Sequence, residues 1–196
     1  MTEFSDYAAV QRYLNGDADA LAPLVEKYRR PLYGFILQMN EGRLDPDEIF
    51  QETWFRALKN LHRFRKNNFP AWLMRIARNL MLDRIRKRKK QVSLQDAGGE
   101  GGTQSALQER LPAPGLNPAD GANGNALGAA IEEALRRLPP EQREVFVLRM
   151  QSGLAFREIA RIQGCSINTS LARMQYALAR MRSMLEKEYR ELQEDS

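Results

Sequence analysis

The hydrophobic residues of this chain recur every three or four positions, which is the period of an amphipathic helix. No segment shows the sustained alternation of apolar and polar residues that marks a half-buried strand. Residues 17–20 can cap a first helix, which we expect to end near Pro31, and Asp45 with Pro46 is a strong start signal for another. A further helix opens at Pro70. The apolar positions of these helices are Leu21, Leu24, Val25, Tyr28, Phe50, Trp54, Leu58, Leu61, Trp72, Leu73, Ile76 and Leu80.

The rear of the chain has the order of a helix-turn-helix motif. Helices are predicted over residues 127–138 and 141–150, then a short helix over 156–162, a turn at Gly164 and a long helix that Ser166 can cap. The large apolar residues of the long helix step by four and three, so we expect them to form one seam that faces the core. These seam residues are Ile167, Leu171, Met174, Leu178, Met181 and Leu185.

Residues 91–126 differ in composition from both flanks. They hold seven of the thirteen glycines, three prolines and no aromatic residue, so they bury too little surface to offset the entropy of ordering. A long ordered loop is the less favoured alternative, since such loops are uncommon in compact domains. The pattern predicts an all-α protein with two small helical domains, residues 1–90 and 127–196, joined by a flexible linker. A coil of that length averages about 33 Å end to end, so the domains can approach one another.

Charge adds a candidate function. The net charge is +5, and eight basic residues against one acid lie between residues 75 and 90, which favours a polyanionic partner. Arg75, Arg78, Asn79 and Arg86 lie away from the apolar seam of their helix, so this face can follow DNA phosphates. Just before it, cations mix with aromatic rings in a way that suits unpaired bases, although the rings could instead pack in the core, as we expect for Trp72. The candidates in that loop are Arg63, Phe64, Arg65, Lys66 and Asn67.

The face of the last helix opposite its apolar seam is the second candidate surface. In a helix-turn-helix motif the exposed N-terminal part of this helix enters the major groove. Arg173 is the favoured contact because its guanidinium fork matches guanine edges and phosphates. The alternative is a solvated arginine on an ordinary helix. The predicted set on and around this face is Ser166, Asn168, Thr169, Ser170, Ala172, Arg173, Tyr176 and Arg180.

The sequence lacks the residues and motifs that several other classes of protein require. Cys165 and His62 are the only residues of their types and are far apart, so neither a disulfide nor a zinc cluster is expected. No glycine-rich phosphate loop or nucleophile motif is present, so we expect no enzyme activity, no metal and no cofactor. No apolar run approaches the roughly 20 residues of a membrane span, and no secretory signal opens the chain. We expect a soluble cytoplasmic protein.

Several motifs resemble one known family. Residues 47–54 (DEIFQETW), 69–73 (FPAWL), 76–79 (IARN) and 83–86 (DRIR) resemble region 2 of the extracytoplasmic-function (group 4) sigma factors. Residues 138–146 (LPPEQREVF) and 156–160 (FREIA) look like region 4 of the same family. The resemblance covers nearly the whole chain outside the linker.

This resemblance implies a set of partners. Region 2 would bind the clamp helices of core RNA polymerase and open the −10 element, with Asn79 and residues 62–69 as −10 candidates. Region 4 would read the −35 element and touch the polymerase flap, and an anti-sigma factor would be the inhibitor. The polymerase-facing candidates are Asp47, Glu48, Gln51 and Glu52.

Two points stay open from the sequence. Residues 168–173 keep only one of the two cations that the family usually has in the recognition helix, so a −35 readout that is weak or unusual in sequence is expected. The carboxylates of Glu48 and Glu52 could also stabilise the helix dipole, and this role is compatible with binding a partner. The alternative function is a stand-alone helix-turn-helix regulator, which would bind its operator without polymerase.

Overall fold

The computed structural model describes residues 5–40, 42–65, 68–96 and 122–194. Within these ranges it contains eight α-helices, two 3-10 turns and no strand, which confirms the predicted all-α class. Lys66, Asn67 and most of the predicted linker lie outside the described residues. The helices are α1 Asp6–Leu14, α2 Ala22–Asn40, α3 Pro46–Lys59, α4 Phe69–Asp96, α5 Ala122–Arg136, α6 Pro140–Met150, α7 Phe156–Gln163 and α8 Ile167–Glu194, with 3-10 turns at Ala18–Leu21 and Leu61–Arg63.

Helix α2 does not end near Pro31, so that prediction is wrong. Pro31 lies inside the helix, where it removes one backbone donor. Leu32, Phe35 and Ile36, which follow it, are all fully buried. The helix continues because this burial outweighs the lost hydrogen bond.

The start of α3 matches the sequence signal. The side chain of Asp45 accepts a hydrogen bond from the backbone N–H of Asp47 at 2.9 Å and a longer one from that of Glu48 at 3.4 Å. Pro46 occupies the first turn, where its missing donor costs nothing. The cap therefore fixes the start of α3, and with it the positions of the exposed carboxylates in its first turn.

An aromatic cluster forms the core of the front half. The ring of Phe69 lies within 5.4–6.4 Å, centroid to centroid, of the rings of Tyr28, Trp54, Phe64 and Trp72. The Tyr28 hydroxyl donates to Asp6 at 2.5 Å, which ties α1 to α2. Burial and the Asp6 carboxylate raise the pKa of Tyr28, so it remains a donor. Leu58 was expected in this core but is exposed, because it lies on the outer face of α3.

Helix α8 packs through a different seam from the one predicted. Over residues 167–186, where burial is described, the buried positions are Ser170, Met174, Ala177 and Met181, and they also step by four and three. The small side chains of Ser170 and Ala177 let α6, α7 and α5 approach the α8 backbone closely. Three of the six predicted seam residues are therefore exposed instead: Ile167, Leu171 and Leu178.

The front and rear halves share one core. Helix α6 packs on α2 and α7 packs on α4, so Val147, Leu148 and Ile159 belong to the same buried cluster as the front aromatic residues. A smaller cluster, which includes Leu135 and Ala177, joins α5 to α8. Residues 91–96 and 122–126, which were assigned to the linker, are helical. None of the described helices combines the length and apolar character that crossing a membrane requires.

Candidate nucleic-acid interface

The basic face of α4 lies largely on the surface. Arg75, Asn79 and Arg86 are exposed and follow one another at helical spacing, as the sequence predicts. Lys87 and Arg88 extend the positive charge toward the C-terminal part of the helix. The underlying seam of α4 is buried against α2 and α3, which holds the cations in a row. Their contact with phosphates stays a prediction.

Arg78 departs from that row. Its Nε donates to Oε1 of Glu144 on α6 at 2.6 Å, and only 23% of its side chain is exposed. Glu144 is more deeply buried, with 5% of its side chain exposed. In this arrangement Arg78 is engaged by the rear half and is not directed at solvent.

The loop before α4 exposes its arginine side chains but buries its phenylalanine ring. Arg63 and Arg65 are exposed, whereas Phe64 is 4% exposed and packs edge-on against Phe69. Burial of Phe64 contradicts its assignment as a stacking platform for bases, since a stacking ring must offer a face. Packing of the ring in the core, the alternative left open by the sequence, is confirmed for Phe64. The half-buried Trp72 packs against the Phe64 ring.

The helix-turn-helix geometry is formed as expected. Gly164 ends α7 in the left-handed conformation, with φ of 67°, which a residue without Cβ adopts without strain. Ser166 Oγ accepts from the backbone N–H of Thr169 at 3.0 Å and so caps α8. Asn168, Tyr176 and Arg180 are exposed along the same helix. The motif thus places the start of α8 at the surface.

Two members of the predicted recognition face do not point freely outward. Ser170 is fully buried, which contradicts a DNA contact by its hydroxyl; the reason is its place on the packed seam of α8. Arg173 is half-buried and its Nη1 donates to Oε1 of Gln163 at 3.0 Å. It also lies 3.6 Å from the sulfur of Cys165. Arg173 is therefore held against the turn of the motif.

A chain of hydrogen bonds links the two engaged arginines. Gln163 Nε2 donates to Oε2 of Glu144 at 3.0 Å, while Gln163 Oε1 accepts from Arg173. Glu144 Oε1 accepts from Arg78. The two carboxylate oxygens of Glu144 thus lead to one candidate DNA contact in each half. Sequence reasoning missed Glu144 and Gln163, because no local pattern signals partners that are 66 residues away for Glu144 and 19 and 10 residues away for Gln163.

The predicted polymerase-facing residues of α3 lie on a surface stripe that extends beyond them, and their contact with polymerase stays a prediction. Glu48 and Gln51 are exposed, and Phe55 and Leu58 continue the same stripe at steps of four and three. Phe55 is 62% exposed, which is unusual for a large ring. Its spacing from Gln51 is the signal that could have found it.

The carboxylates of α3 have local partners. Glu48 pairs with Arg84 of α4 at 2.6 Å, and Glu52 pairs with Arg56 one turn along α3 at 2.7 Å. Burial and the neighbouring Asp47 carboxylate raise the pKa of Tyr33. The fold therefore holds the carboxylates of Glu48 and Glu52 in defined positions on this face of α3. Within the described residues no group of His, Cys, Asp and Glu could hold a metal ion.

Family models match both halves. Residues 24–91 match Sigma-70 region 2, and residues 128–181 match Sigma-70, region 4. The first match contains α3 and most of α4, and the second contains the helix-turn-helix motif. Each candidate DNA-binding surface thus lies inside one matched region.

Whole-chain relatives agree with these matches. The chain is 33% identical to the ECF RNA polymerase sigma factor SigW of Bacillus subtilis, over 93% of this chain and 96% of that protein. It is 31% identical to the ECF RNA polymerase sigma factor BldN of Streptomyces coelicolor, over 79% of this chain and 56% of BldN. The sigma factor RpoE of Bartonella quintana, crystallised with the anti-sigma factor NepR, shares the fold, with a TM-score of 0.68 and 24% identity over 86% of this chain and 98% of that one.

Proposed function

Since the chain belongs to the ECF sigma factors of bacterial RNA polymerase, we propose that it is a non-catalytic subunit that directs core polymerase to a set of promoters. The observation that carries this proposal is the presence, in one chain, of a cationic helix face on α4 and a capped helix-turn-helix on α7 and α8. A stand-alone regulator is not supported, because the front half matches Sigma-70 region 2 rather than an effector domain.

The −10 element is assigned to α4 and the loop before it. Arg75 and Arg86 supply charge along the phosphates, and Asn79 lies between them where an amide can reach a base edge. Arg63 and Arg65 flank the entry to this face. Separated strands bind well to a positive groove, so this surface favours the unpaired strand of an opened promoter.

The −35 element is assigned to the start of α8. Ser166 places Thr169 and Asn168 at the exposed N-terminus of the helix, which is the part that enters a major groove. Arg173 lies one turn further along and Tyr176 is exposed beyond it. With a single cation in this stretch, we expect base readout to use Asn168 and Thr169 together with Arg173.

The α3 stripe is assigned to polymerase. Asp47, Glu48, Gln51 and Glu52 supply polar and acidic groups, and Phe55 and Leu58 add exposed apolar area beside them. Interfaces combine an apolar centre with a polar rim, and this stripe has both. It faces away from the aromatic core, so a partner can bind without unfolding the domain.

Inhibition by an anti-sigma factor is part of the proposal. The RpoE that shares this fold was crystallised with the anti-sigma factor NepR. Such a partner would act in the cytoplasm, where polymerase works, by covering the α3 stripe or the DNA-facing helices.

In vitro transcription with core polymerase and a randomised promoter pool tests the proposed function. The chain should confer selective start sites, and Arg75→Glu with Arg86→Glu should abolish opening of the −10 region, read by permanganate reactivity of unpaired thymines. Loss of the two phosphate contacts should lower the log–log salt slope for binding of the unpaired strand by about 1.4. Arg12→Glu, an exposed change on α1 outside both matched regions, is the control. If core polymerase gains no start-site selectivity, the proposed function is wrong.

A further inference from the structure

The loop that we assign to the −10 element, residues 62–69, is contacted at its start by a helix outside the matched regions. Helix α1 ends at Leu14, whereas the match to Sigma-70 region 2 begins at residue 24. Helix α1 nevertheless contacts the 3-10 turn Leu61–Arg63, which forms the start of the loop. A part of the chain that the family model leaves out therefore borders a candidate DNA-binding surface.

The same helix also reaches the end of the loop. Asp6 and Tyr7 of α1 line one groove with Asn68 and Phe69, the last two residues of the loop. The side chain of Asn68 accepts a hydrogen bond from the backbone N–H of Ala71 at 3.0 Å and so caps α4. The loop thus has two anchored ends, and α1 lies beside both of them.

One side chain ties α1 to the residues that hold the loop. Asp6 is partly buried; its Oδ2 accepts from the hydroxyl of Tyr28 at 2.5 Å, and its Oδ1 accepts from Nζ of Lys27 at 2.7 Å. Tyr28 is buried, and its ring lies 5.5 Å, centroid to centroid, from the ring of Phe69. Removal of Asp6 would take away the acceptor of this hydroxyl, and a buried polar group that lacks its partner is costly.

Phe69 passes this restraint to the middle of the loop. Its ring packs edge-on against Phe64, whose backbone is extended, with φ of −67° and ψ of 127°. Successive side chains of an extended segment point to opposite sides, so the inward ring of Phe64 leaves the following Arg65 directed at solvent. Arg63, which precedes the ring, is exposed as well. The outward direction of these cations therefore depends on where Phe69 lies.

We propose that Asp6 is a positioning residue for the −10 loop: by holding Tyr28, it fixes the aromatic contacts that direct the loop arginines at the unpaired promoter strand. The proposal rests on the proposed function and extends the −10 site to a helix that no sequence motif assigned to DNA. Asp6 does not touch DNA itself, because a carboxylate repels phosphates. Its effect on promoter opening is exerted through the loop.

The two steps of promoter use separate this role from a merely structural one. Binding of the closed, double-stranded promoter relies on the −35 contacts of α8 and on phosphate contacts of α4. Opening also needs the loop cations on the unpaired strand. Loss of the loop position should therefore slow opening and leave closed binding unchanged. General destabilisation would lower the active fraction of the chain, which weakens apparent binding and leaves the first-order rate of opening unchanged.

Three variants test the proposal in the full-length chain bound to core polymerase. Asp6→Ala removes the acceptor, whereas Asp6→Asn keeps an amide oxygen that can accept from Tyr28. Tyr28→Phe removes the donor and keeps the ring against Phe69. Lys27→Met is the matched control, because it removes the other partner of Asp6, a cation that is exposed at the surface. The promoter is one that the unmodified chain selects from the randomised pool.

Opening is measured as the first-order rate at which thymines of the −10 region gain permanganate reactivity at saturating holoenzyme, and closed binding at a temperature too low for opening. Asp6→Ala and Tyr28→Phe should each slow opening on the order of tenfold, as expected for loss of one hydrogen bond to a charged group. Asp6→Asn should restore most of the rate, and Lys27→Met should match the unmodified chain. The double variant of Asp6→Ala with Tyr28→Phe should be no slower than Asp6→Ala, since both changes remove the same bond.

Asp6→Ala overturns the proposal if it opens the promoter at the original rate, or if its closed binding weakens as much as its opening slows. If Asp6→Ala loses helix content, Tyr28→Phe decides by the same measurements, because its ring keeps the core filled. Failure of the unmodified chain to select or open any promoter contradicts the proposed function instead, so the two failures are distinguishable.

Discussion

The front and rear halves achieve burial in opposite ways. The front half places large rings at its centre, with Phe69 in contact with four other aromatic side chains. The rear half uses small residues, Ser170 and Ala177, to bring helices close to α8. Large rings bury much area from a few positions, whereas small residues gain stability from close backbone approach. Each design leaves a different helix face exposed.

The two halves also differ in how much hydrophobic core each has of its own. Among the residues whose burial is described, the rear half keeps only a small cluster of its own, between α5 and α8. Most of the buried residues of α6 and α7 contribute to the core that they share with the front half. A segment with a small independent core is only modestly stable. We therefore expect the rear half to depend more on the contact between halves than the front half does.

The largest expected effect comes from the front core. Phe69→Ala removes the ring at the centre of the aromatic cluster and should lower the free energy of unfolding by about 3–5 kcal/mol. Phe55→Ala is the matched control, because its ring is exposed on α3, and it should change stability by less than about 0.5 kcal/mol. Urea denaturation followed by circular dichroism measures both. Equal losses in the two variants would show that the cluster is not the main core.

The next effect tests the small-residue design of the rear half. Ala177→Leu adds volume where α8 meets α5, and overpacking there should cost about 1–3 kcal/mol. Leu178→Ala removes a half-exposed side chain from the neighbouring position and should stay within about 0.5 kcal/mol. Thermal unfolding of both variants is the measurement. A destabilised Leu178→Ala beside a neutral Ala177→Leu would restore the seam predicted from the sequence.

The smallest effect is expected to be equal in the two halves. Asp45→Ala and Ser166→Ala each remove a side chain that accepts hydrogen bonds at the start of a helix, and each should cost about 1 kcal/mol. Ser5→Ala is the control, since Ser5 is in the N-cap position of α1 without a side-chain capping bond. Its substitution should leave the midpoint of urea denaturation unchanged. Unequal costs for the two caps would mean that cap strength depends on the surrounding core.

Much of the fold was predictable because it depends on short-range signals. The Asp45 cap, the turn at Gly164 and the Ser166 cap each involve residues within a few positions of one another, and all three are formed. The family was predictable for the same reason, since contiguous motifs carried the resemblance. The exposed position of Arg75, Asn79 and Arg86 also followed from helical spacing alone.

The errors lie where long-range packing decides. Pro31 signals a helix end, yet the burial of the residues after it keeps α2 continuous. Phe64 lies in a loop whose composition suits base stacking, yet its ring packs in the aromatic cluster. In α8, size suggested that Leu178 is buried, yet the neighbouring Ala177 is the position that fits under α5.

By itself, the sequence determined the helices, their caps, the helix-turn-helix motif and the position of the positive charge, because each depends on neighbours along the chain. The tertiary structure alone decided that α2 continues past Pro31, which residues of α8 are buried and which charged groups distant in the chain meet. The bond from Arg78 to Glu144 spans 66 positions, and no local pattern encodes such a pair. It exists only because α6 packs on α2 and α7 on α4, which brings the two halves together.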